Sequence, residues 1–456
     1  MLYLHQSNQL ERLAHHFAAL QRIDPLPPFQ DEVVVVQNSG MGRWLSLQAA
    51  KVNGIAANAR YLFPAEIMWE MLRAVLENVP ERDPGAAPLL RWRLFKEFVN
   101  APEQWTELSS YLATGIDGAW QLANQIAKVF DAYLFFRPEW IREWEDNEGS
   151  GVDWQARLWW QMMGAPNLTH WVRLQNQFKA QLALHRDKLP KRICYFSVPI
   201  LSPGYVELLG EIAQYIDIHI YLMNPSEEYW SDIVSEKRKY KRELAEQEHV
   251  EVGNPLLASW GRQGQDFMDL LLNANANDDE TSLFVSEAEN SLLKYIQADI
   301  LHLRMPSPHT FPLTDDSIRI HSCHSPMREV EVLYDQLLAL FECQPDLTPA
   351  DVVVMTPDID KYAPYLEAVF ANAEYPLPFS IADSHAGKAQ SLLNLCEQLL
   401  ALPQGRCEVE SILAVLEFEE VRTHLGMDEN QTLQCREWIR AANIRWGVDS
   451  EARAQL

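Results

Sequence analysis

The sequence lacks the features that mark secreted and membrane-spanning chains. Its six cysteines are scattered, none of them forms a CxxC pair, and their spacing gives no disulfide framework. A reducing cytoplasm fits this usage. The first residues, MLYLHQSNQLERLAHHF, turn polar too soon for a signal peptide. No apolar run approaches the roughly 18 residues of a membrane span. We therefore predict a cytoplasmic protein that makes no contact with a membrane.

Positive charge is also scarce. The chain has 38 Lys and Arg against 64 Asp and Glu, which gives a formal net charge of -26. Non-specific coating of nucleic acid depends on many basic residues that release counterions, and a field this negative repels a phosphate backbone at long range. Bulk charge therefore argues against that class of protein. DNA would have to be held in a local groove, with much of the positive charge supplied by partners, and solubility alone also explains the acidity.

A working phosphate loop is missing from the place where an α/β protein would have one. The run VVVVQNSGMGRWL (33–45) leads from an apolar strand through a glycine turn into a helix. A phosphate loop reads GxxxxGK[ST], with a lysine for the β- and γ-phosphates and a hydroxyl for Mg²⁺. Here Arg43 and Trp44 follow Gly42, and the planar guanidinium group does not replace an ammonium. The sequence predicts a chain that binds no ATP and has no cofactor of its own.

Other catalytic and metal-binding patterns are incomplete as well. The stretch HAGKAQ (385–390) has Lys388 but lacks the leading glycine and the hydroxyl. The buried strand at 193–198 runs into Pro199, where a Walker B carboxylate would be expected. Strand alternation does not bring the two histidines and the cysteine of HSCH (321–324) together on one face, and no GxSxG, HExxH or persuasive ExK motif is present. We predict no catalytic residue and no metal site.

What the chain does contain is alternation of strands and helices. A length of 456 residues suggests two or three domains. A strand at 2–5 is followed by a helix that Asn8 is placed to cap. Val33–Val36 are four consecutive β-branched residues, which is typical of a strand buried on both faces of a parallel sheet. The strand and helix pattern resumes at 193, so the fold class is α/β.

Helical segments interrupt this pattern. Apolar residues recur at helical spacing between about 64 and 189, and ten of the 15 tryptophans lie there. After a proline-rich linker, SIRIHSCHS (317–325) and DVVVMTPD (351–358) are predicted to be strands on either side of a helix, and helices follow. The basic run KRKYKR (237–242) is interpreted as a solvated helix face. This layout, with two parallel-sheet domains that each carry a helical insertion, is that of a superfamily 1 helicase core.

The predicted fold is therefore an inactive superfamily 1 helicase-like α/β fold. The predicted domains are a first α/β domain (1–62 plus 190–303), a helical insertion in it (63–189), a linker (304–316), the start of a second α/β domain (317–380) and the start of a second helical insertion (381–456).

The loop after the predicted strand 33–36 contains side chains suited to binding bases, although it lacks the motif for ATP hydrolysis. Four polar residues lie at or just beyond the carboxyl end of a predicted strand, where α/β domains bind ligands: Gln37, Asn38, Ser39 and Arg43. Gln, Asn and Arg are side chains that hydrogen-bond to base edges. Three nearby aromatic residues are able to stack on unpaired bases: Trp44, Phe63 and Trp69. Structural roles stay open beside these, with Trp44 and Trp69 in a helix core and Arg137 at a helix end.

Several stretches, read together, resemble the RecC family, the gamma subunit of bacterial exodeoxyribonuclease V. They are in family order and span nearly the whole chain. The stretches are VQNSGMGRWL (36–45), GIAAN (54–58), FPAEIMWEM (63–71), FDAYLFFRPEW (130–140), NPLLASWG (254–261), CHSPMREVEVLYDQLLA (323–339) and IRWGVD (444–449).

The resemblance implies a helicase-like chain that has lost its ATPase motifs. It implies a heterotrimer with RecB-like and RecD-like motor subunits, which use the ATP and Mg²⁺ and one of which carries the nuclease. The expected role is to split the ends of double-stranded DNA, guide the single strands and scan the 3′-ended strand for the Chi sequence in double-strand break repair. Because family members are much longer and end in an inactive nuclease-like domain, the chain resembles their N-terminal portion.

The resemblance also implies site residues. Family residues implicated in reading Chi match six positions here: Gln37, Ser39, Phe63, Trp69, Asp131 and Arg137. The sequence departs from the family pattern at Arg43, where glutamine is usual, and at Lys128 and Ala132, where polar or acidic residues are expected. Arg43 is kept as a seventh DNA-binding candidate. Which DNA sequence is read stays open, whereas binding of single-stranded DNA is the firmer expectation.

Two other functions remain compatible with the sequence. One is an assembly scaffold whose surfaces all serve protein partners, which the acidity and the tryptophan-rich insertion favour. The other is an active helicase with unusual motifs.

Overall fold

The computed structural model describes most of the chain. The described ranges are 1–151, 153–233, 253–274, 276–278, 282–312, 314–371, 373–381, 388–402 and 405–447. They form two compact units, Met1–Ile318 and Arg319–Leu456. The basic run 237–242 lies outside the described residues, as do 385–387 of the HAGKAQ stretch and 448–449 of IRWGVD.

A six-stranded sheet organises the first unit, and every pairing in it is parallel. Its strands lie in the spatial order β3-β2-β4-β5-β1-β6. Their bounds are β1 (Leu2–Ser7), β2 (Glu32–Val35), β3 (Ala59–Leu62), β4 (Arg192–Phe196), β5 (Asp217–Met223) and β6 (Asn277–Asp278). Every residue of the neighbouring interior strands β2 and β4 is buried, because helices cover both faces. The prediction of an α/β fold with a parallel sheet is confirmed.

The helices of the first unit begin and end where local signals place them. Asn38 caps the second helix, and Gly54 ends it with a left-handed φ of 80°. Pro64 opens the third at its first position. The helices are α1 (Leu10–Ile23), α2 (Ser39–Asn53), α3 (Pro64–Val75), α4 (Ala87–Asn100), α5 (Ser109–Leu112), α6 (Ile116–Phe136), α7 (Pro138–Asp146), α8 (Trp154–Met163), α9 (Trp171–Gln181), α10 (Pro203–Ile212), α11 (Pro255–Trp260), α12 (Arg262–Asn273) and α13 (Leu292–Leu301).

Alternate side chains of β2 and β4 pack into two separate cores, one on each face of the sheet. On one face, Val34 and Phe196 pack with buried residues of α1 and α2 such as Phe17 and Leu45. On the other face, Val33 and its strand neighbours join a larger core that also contains α10 and the helices from α3 to α9. The tryptophan-rich helices are therefore packed onto one side of the sheet, and α1 and α2 onto the other.

The second unit is helical within its described residues. Its helices are α14 (Pro326–Cys343), α15 (Ile359–Phe370), α16 (Lys388–Ala401), α17 (Val409–Leu416), α18 (Glu419–Leu425) and α19 (Glu429–Ala441). In no described part of the chain is a helix both long and apolar enough to cross a bilayer.

The strands predicted at 317–325 and 351–358 are not formed. A strand is held by hydrogen bonds to a neighbouring strand, and neither segment has such a neighbour among the described residues. Their apolar side chains stay in solvent, with Ile320 91% exposed, Val353 77% and Met355 88%. The apolar pattern is present in the sequence, but no second layer covers it, so this part of the prediction is wrong.

Candidate nucleic-acid interface

The order of the strands creates a crevice at the carboxyl ends of β2 and β4. These two strands are parallel neighbours. From β2 the chain continues through α2 to β3 on one side, and from β4 it continues through α10 to β5 on the other side. The helices α2 and α10 pack on opposite faces of the sheet. The connections from these two neighbouring strands thus run in opposite directions along the sheet. Open parallel sheets bind ligands at such a switch point.

The loop that follows β2 enters this crevice with polar side chains. Gln37, Asn38 and Ser39 are exposed, and Arg43 is exposed one turn into α2. The Asn38 Oδ1 atom accepts a hydrogen bond of 2.8 Å from the backbone N–H of Met41. One of the amide groups at the helix start, which a phosphate would otherwise contact, is thus used by the chain itself.

The glycines of this loop have structural explanations. A Cβ atom on Gly42 would lie 3.1 Å from the Tyr61 ring of β3, so glycine lets α2 pack closely on that strand. A Cβ atom on Gly40 would lie 3.2 Å from the Asn38 Oδ1 atom that caps the helix. Trp44 packs beside Phe196, with 6.2 Å between ring centroids, so its structural role holds and it is not a free stacking surface.

Phe63 lies at the same edge of the sheet. The Val36 N–H donates to the Leu62 carbonyl at 2.9 Å, so the residues after β2 and β3 run side by side. The Phe63 N–H donates to the Glu66 carboxylate at 2.8 Å, which fixes the start of α3. The Phe63 side chain is 41% exposed. Gln37 and Phe63 therefore leave adjacent strands at one edge and present a hydrogen-bonding group and a ring to solvent.

Trp69, on α3, is half-buried rather than exposed. Its ring lies 6.2 Å from that of Trp171, and the Arg73 guanidinium lies 5.6 Å from its centroid. It packs against the larger core. Its first contribution is therefore to hold α3 in place, with part of the ring left accessible.

A row of aromatic rings brings the insertion helices to the carboxyl edge. Trp171 of α9 lies 5.0 Å from Tyr205 of α10 and 5.7 Å from Phe135 of α6, measured between ring centroids. The Phe135 carbonyl is 3.7 Å from where a Cβ atom would stand on Gly204, at the start of α10. These ring contacts were not identified from the sequence. The tryptophan-rich composition marks the region, but no motif marks the individual contacts. The contacts place the end of α6 next to the start of α10, the helix that follows β4.

Asp131 and Arg137 stand near this end of α6. Asp131 is half-buried, and its carboxylate accepts a hydrogen bond from the Ala87 backbone. Burial raises the pKa of Asp131, and the negative charge of Asp83 raises it further. Arg137 is exposed, its Nη1 donates to the Phe136 carbonyl at 2.9 Å, and its guanidinium lies 5.6 Å from the Trp140 centroid.

The seven predicted site residues fall into two groups. Five have exposed side chains: Gln37, Ser39, Arg43, Phe63 and Arg137. The other two, Trp69 and Asp131, are half-buried and hold neighbouring elements. No three His, Cys, Asp or Glu side chains in the described ranges are grouped so that they could hold a metal ion.

Comparison with known proteins gives consistent matches. The family profile of the RecC N-terminal domain matches residues 2–303, and that of the fourth domain of the RecBCD enzyme subunit RecC matches residues 389–456. The chain is 33% identical to the RecBCD enzyme subunit RecC of Escherichia coli, over 100% of this chain and 46% of that protein. The corresponding values are 32%, 98% and 46% for Haemophilus influenzae, and 30%, 99% and 43% for Mycolicibacterium smegmatis.

The chain thus spans less than half the length of these relatives. The resemblance on which the site residues were predicted is confirmed by the profile that covers most of the chain. This chain belongs to the RecC family.

Proposed function

We propose that this chain is a non-catalytic DNA-binding and scanning subunit of an ATP-dependent helicase and nuclease that acts in double-strand break repair and recombination. It binds single-stranded DNA at the carboxyl edge of the sheet, splits duplex ends and reads a Chi-type sequence in the 3′-ended strand. Its partners are RecB-like and RecD-like motor subunits, as the names of its relatives suggest. Those subunits use the ATP and Mg²⁺, and this chain needs no cofactor.

One observation carries the proposal. At the switch point the chain presents Gln37, Ser39, Arg43 and Phe63 to solvent, and these are hydrogen-bonding and stacking groups suited to bases. The same loop has no Lys-Ser or Lys-Thr pair, and its glycines serve the Asn38 cap and the contact with Tyr61. The arrangement suits recognition of bases better than transfer of a phosphoryl group.

The proposal includes a helicase-like architecture. The predicted domain bounds (1–62 plus 190–303, 63–189, 304–316, 317–380 and 381–456) remain part of it, although the described residues of 317–380 form helices and no strand. In support, a parallel sheet carries inserted helices between β3 and β4, as the first α/β domain of such a core would. The net charge of -26 supports binding at a local site rather than non-specific coating of DNA.

Two measurements on the purified chain test the proposal. With Mg²⁺ and ATP, hydrolysis should stay at background with and without single-stranded DNA. Fluorescence anisotropy with a labelled 20-nucleotide single strand should show binding that Arg43→Ala weakens. Hydrolysis stimulated ten-fold by DNA would end the proposal and favour an active helicase.

A second candidate function is a scaffold that binds only proteins. Exposed aromatic side chains away from the crevice favour it, such as Trp92, 59% exposed, and Trp260, 78% exposed. No binding of single-stranded DNA by the unchanged chain, with the motor subunits still bound, would select the scaffold.

A further inference from the structure

A buried carboxylate, Asp83, lies in the loop between α3 and α4, and we call residues 83–87 the junction loop. Asp83 is 8% exposed. Its Oδ1 atom accepts a hydrogen bond from the Gly85 N–H at 2.7 Å, and its Oδ2 atom accepts one from the Trp171 N–H at 2.9 Å. Trp171 is the first residue of α9. A carboxylate from a distant part of the chain thus stands at the amino end of that helix, where negative charge is favoured.

Through Trp171, the junction loop is connected to Trp69. The Trp171 side chain is fully buried, and its ring lies 6.2 Å from the ring of Trp69 and 5.0 Å from that of Tyr205, measured between centroids. Trp69 is half-buried, so part of its orientation depends on the rings behind it. A shift in the first turn of α9 would therefore move the surface against which Trp69 packs.

The same loop holds Asp131. The Asp131 carboxylate accepts a hydrogen bond from the backbone of Ala87, which is the first residue of α4. Gly85 lets the loop approach both neighbouring helices, because a Cβ atom on it would stand 2.9 Å from Leu134 of α6 and 3.4 Å from His170 at the start of α9. The junction loop is therefore packed between α6 and α9, and it contacts an element next to each of the two half-buried site residues.

The charge of Asp83 also acts on this group of side chains. Burial raises the pKa of Asp83, while its hydrogen bonds and His170 oppose that effect. Burial raises the pKa of Asp131, and the charge of Asp83 raises it further. Burial, with the charges of Asp83 and Asp131, raises the pKa of Tyr205 to about 12. Asp83 is thus linked to Asp131 by charge and to Trp69 by packing.

We propose that Asp83 is a positioning residue of the DNA interface, which holds Trp69 and Asp131 in the arrangement that receives a single strand. The inference rests on the proposed function. Because Asp83 is buried, it acts through these two side chains rather than by contact with DNA. A Ser, Thr or Asn next to the helix would cap α9 without the cost of burying a charge, so capping alone does not explain a carboxylate at this place.

The test compares two substitutions of buried carboxylates in the full chain. Asp83→Asn keeps the shape of the side chain but removes the charge and one of the two acceptors. Asp299→Asn is the matched control, because Asp299 on α13 is 5% exposed and pairs with Arg304 at 3.2 Å. Fluorescence anisotropy with a labelled single strand measures Kd. Asp83→Asn should raise Kd about five-fold, the smallest change expected when one stacked base is lost, and Asp299→Asn should leave Kd unchanged.

A change of background separates positioning from a general loss of stability. In a chain that already carries Trp69→Ala and Asp131→Ala, Asp83→Asn should have no further effect on Kd, because the side chains that it positions are gone. An equal rise in Kd in both backgrounds would overturn the inference, as would an unchanged Kd for Asp83→Asn in the otherwise unchanged chain. In both cases the proposed function stands.

A second variant covers the case in which Asp83→Asn does not fold, which urea unfolding would reveal. Trp171→Phe keeps the backbone bond to Asp83 and reduces the ring that packs against Trp69, so it should also raise Kd. An unchanged Kd for Trp171→Phe would overturn the inference. Failure of the unchanged chain to bind the single strand would remove the proposed function together with the inference.

Discussion

Phe63 offers the sharpest test of the crevice, and we expect Phe63→Ala to weaken binding of single-stranded DNA. Stacking of one base on an aromatic ring is worth about 1–3 kcal/mol. If one base stacks on Phe63, Kd rises about 5- to 150-fold, since about 1.4 kcal/mol is ten-fold. The Phe63 N–H bond to Glu66 uses the backbone, so the substitution leaves the start of α3 intact.

The structure also sets the expected cost in stability. Phe63 is 41% exposed, so the remaining 59% of its surface is covered. Full burial of such a side chain is worth roughly 1.5–3 kcal/mol, and the truncation should therefore cost about 1–2 kcal/mol. Phe379, 45% exposed in the second unit, is a control of equal size and similar exposure. Fluorescence anisotropy with a labelled single strand should show weaker binding only for Phe63→Ala. Equal Kd values for the two variants and the unchanged chain would refute a stacking role.

Three other predictions concern charge. If Arg43 contacts a phosphate, Arg43→Ala should reduce the magnitude of the slope of log K against log salt for single-stranded DNA by about 0.7. Arg82→Ala, also at an exposed position, should leave the slope unchanged. Equal slopes for the two variants would argue against the contact. Glu32→Gln should lower the free energy of unfolding in urea by about 3 kcal/mol, because it removes the buried carboxylate partner of Arg192 and leaves that buried charge only the exposed Asp24 carboxylate. Glu70→Gln, which breaks the exposed pair with Arg60, should cost under about 1 kcal/mol. A loss as small as that for Glu32→Gln would contradict a stabilising role of the buried pair. Burial, with the charges of His5 and Arg192, lowers the pKa of His219 to about 4 from 6.5, so between these pH values His219 is protonated in the unfolded chain and neutral in the folded chain. The free energy of unfolding should therefore fall by roughly 3 kcal/mol from pH 7 to pH 4. His219→Gln should reduce that fall in urea titrations.

Much of the first unit could be predicted from local sequence. Val33–Val36 predicted a strand buried on both faces, and β2 is buried at every residue. Asn38 and Gly54 fix the two ends of α2 through a side-chain cap and a left-handed turn. These signals depend on a few adjacent residues, so they act without the rest of the fold.

Features that depend on distant residues could not be predicted. The row formed by Phe135, Trp171 and Tyr205 joins three helices that are far apart in the sequence, and no local pattern specifies such a contact. The same holds for the order of the strands, which decides that β2 and β4 flank a crevice.

The two strands that were predicted but are not formed also show that distant contacts decide the structure. Segments 317–325 and 351–358 have strand composition, but a strand also needs a neighbour to pair with, and the described residues give them none. Composition sets what a segment is able to form, whereas pairing decides whether it forms.

The central claim is that single-stranded DNA lies against the carboxyl edge of the sheet, at the loop between β2 and α2. Photocrosslinking tests it most directly, with a 3′-ended strand that carries 4-thiothymidine at successive positions, bound to the chain together with its motor subunits and mapped by mass spectrometry. The account predicts adducts on residues 37–43 and at Phe63. Adducts found only on other parts of the chain, with residues 37–43 and 63 unmodified at every position of the probe, would contradict it.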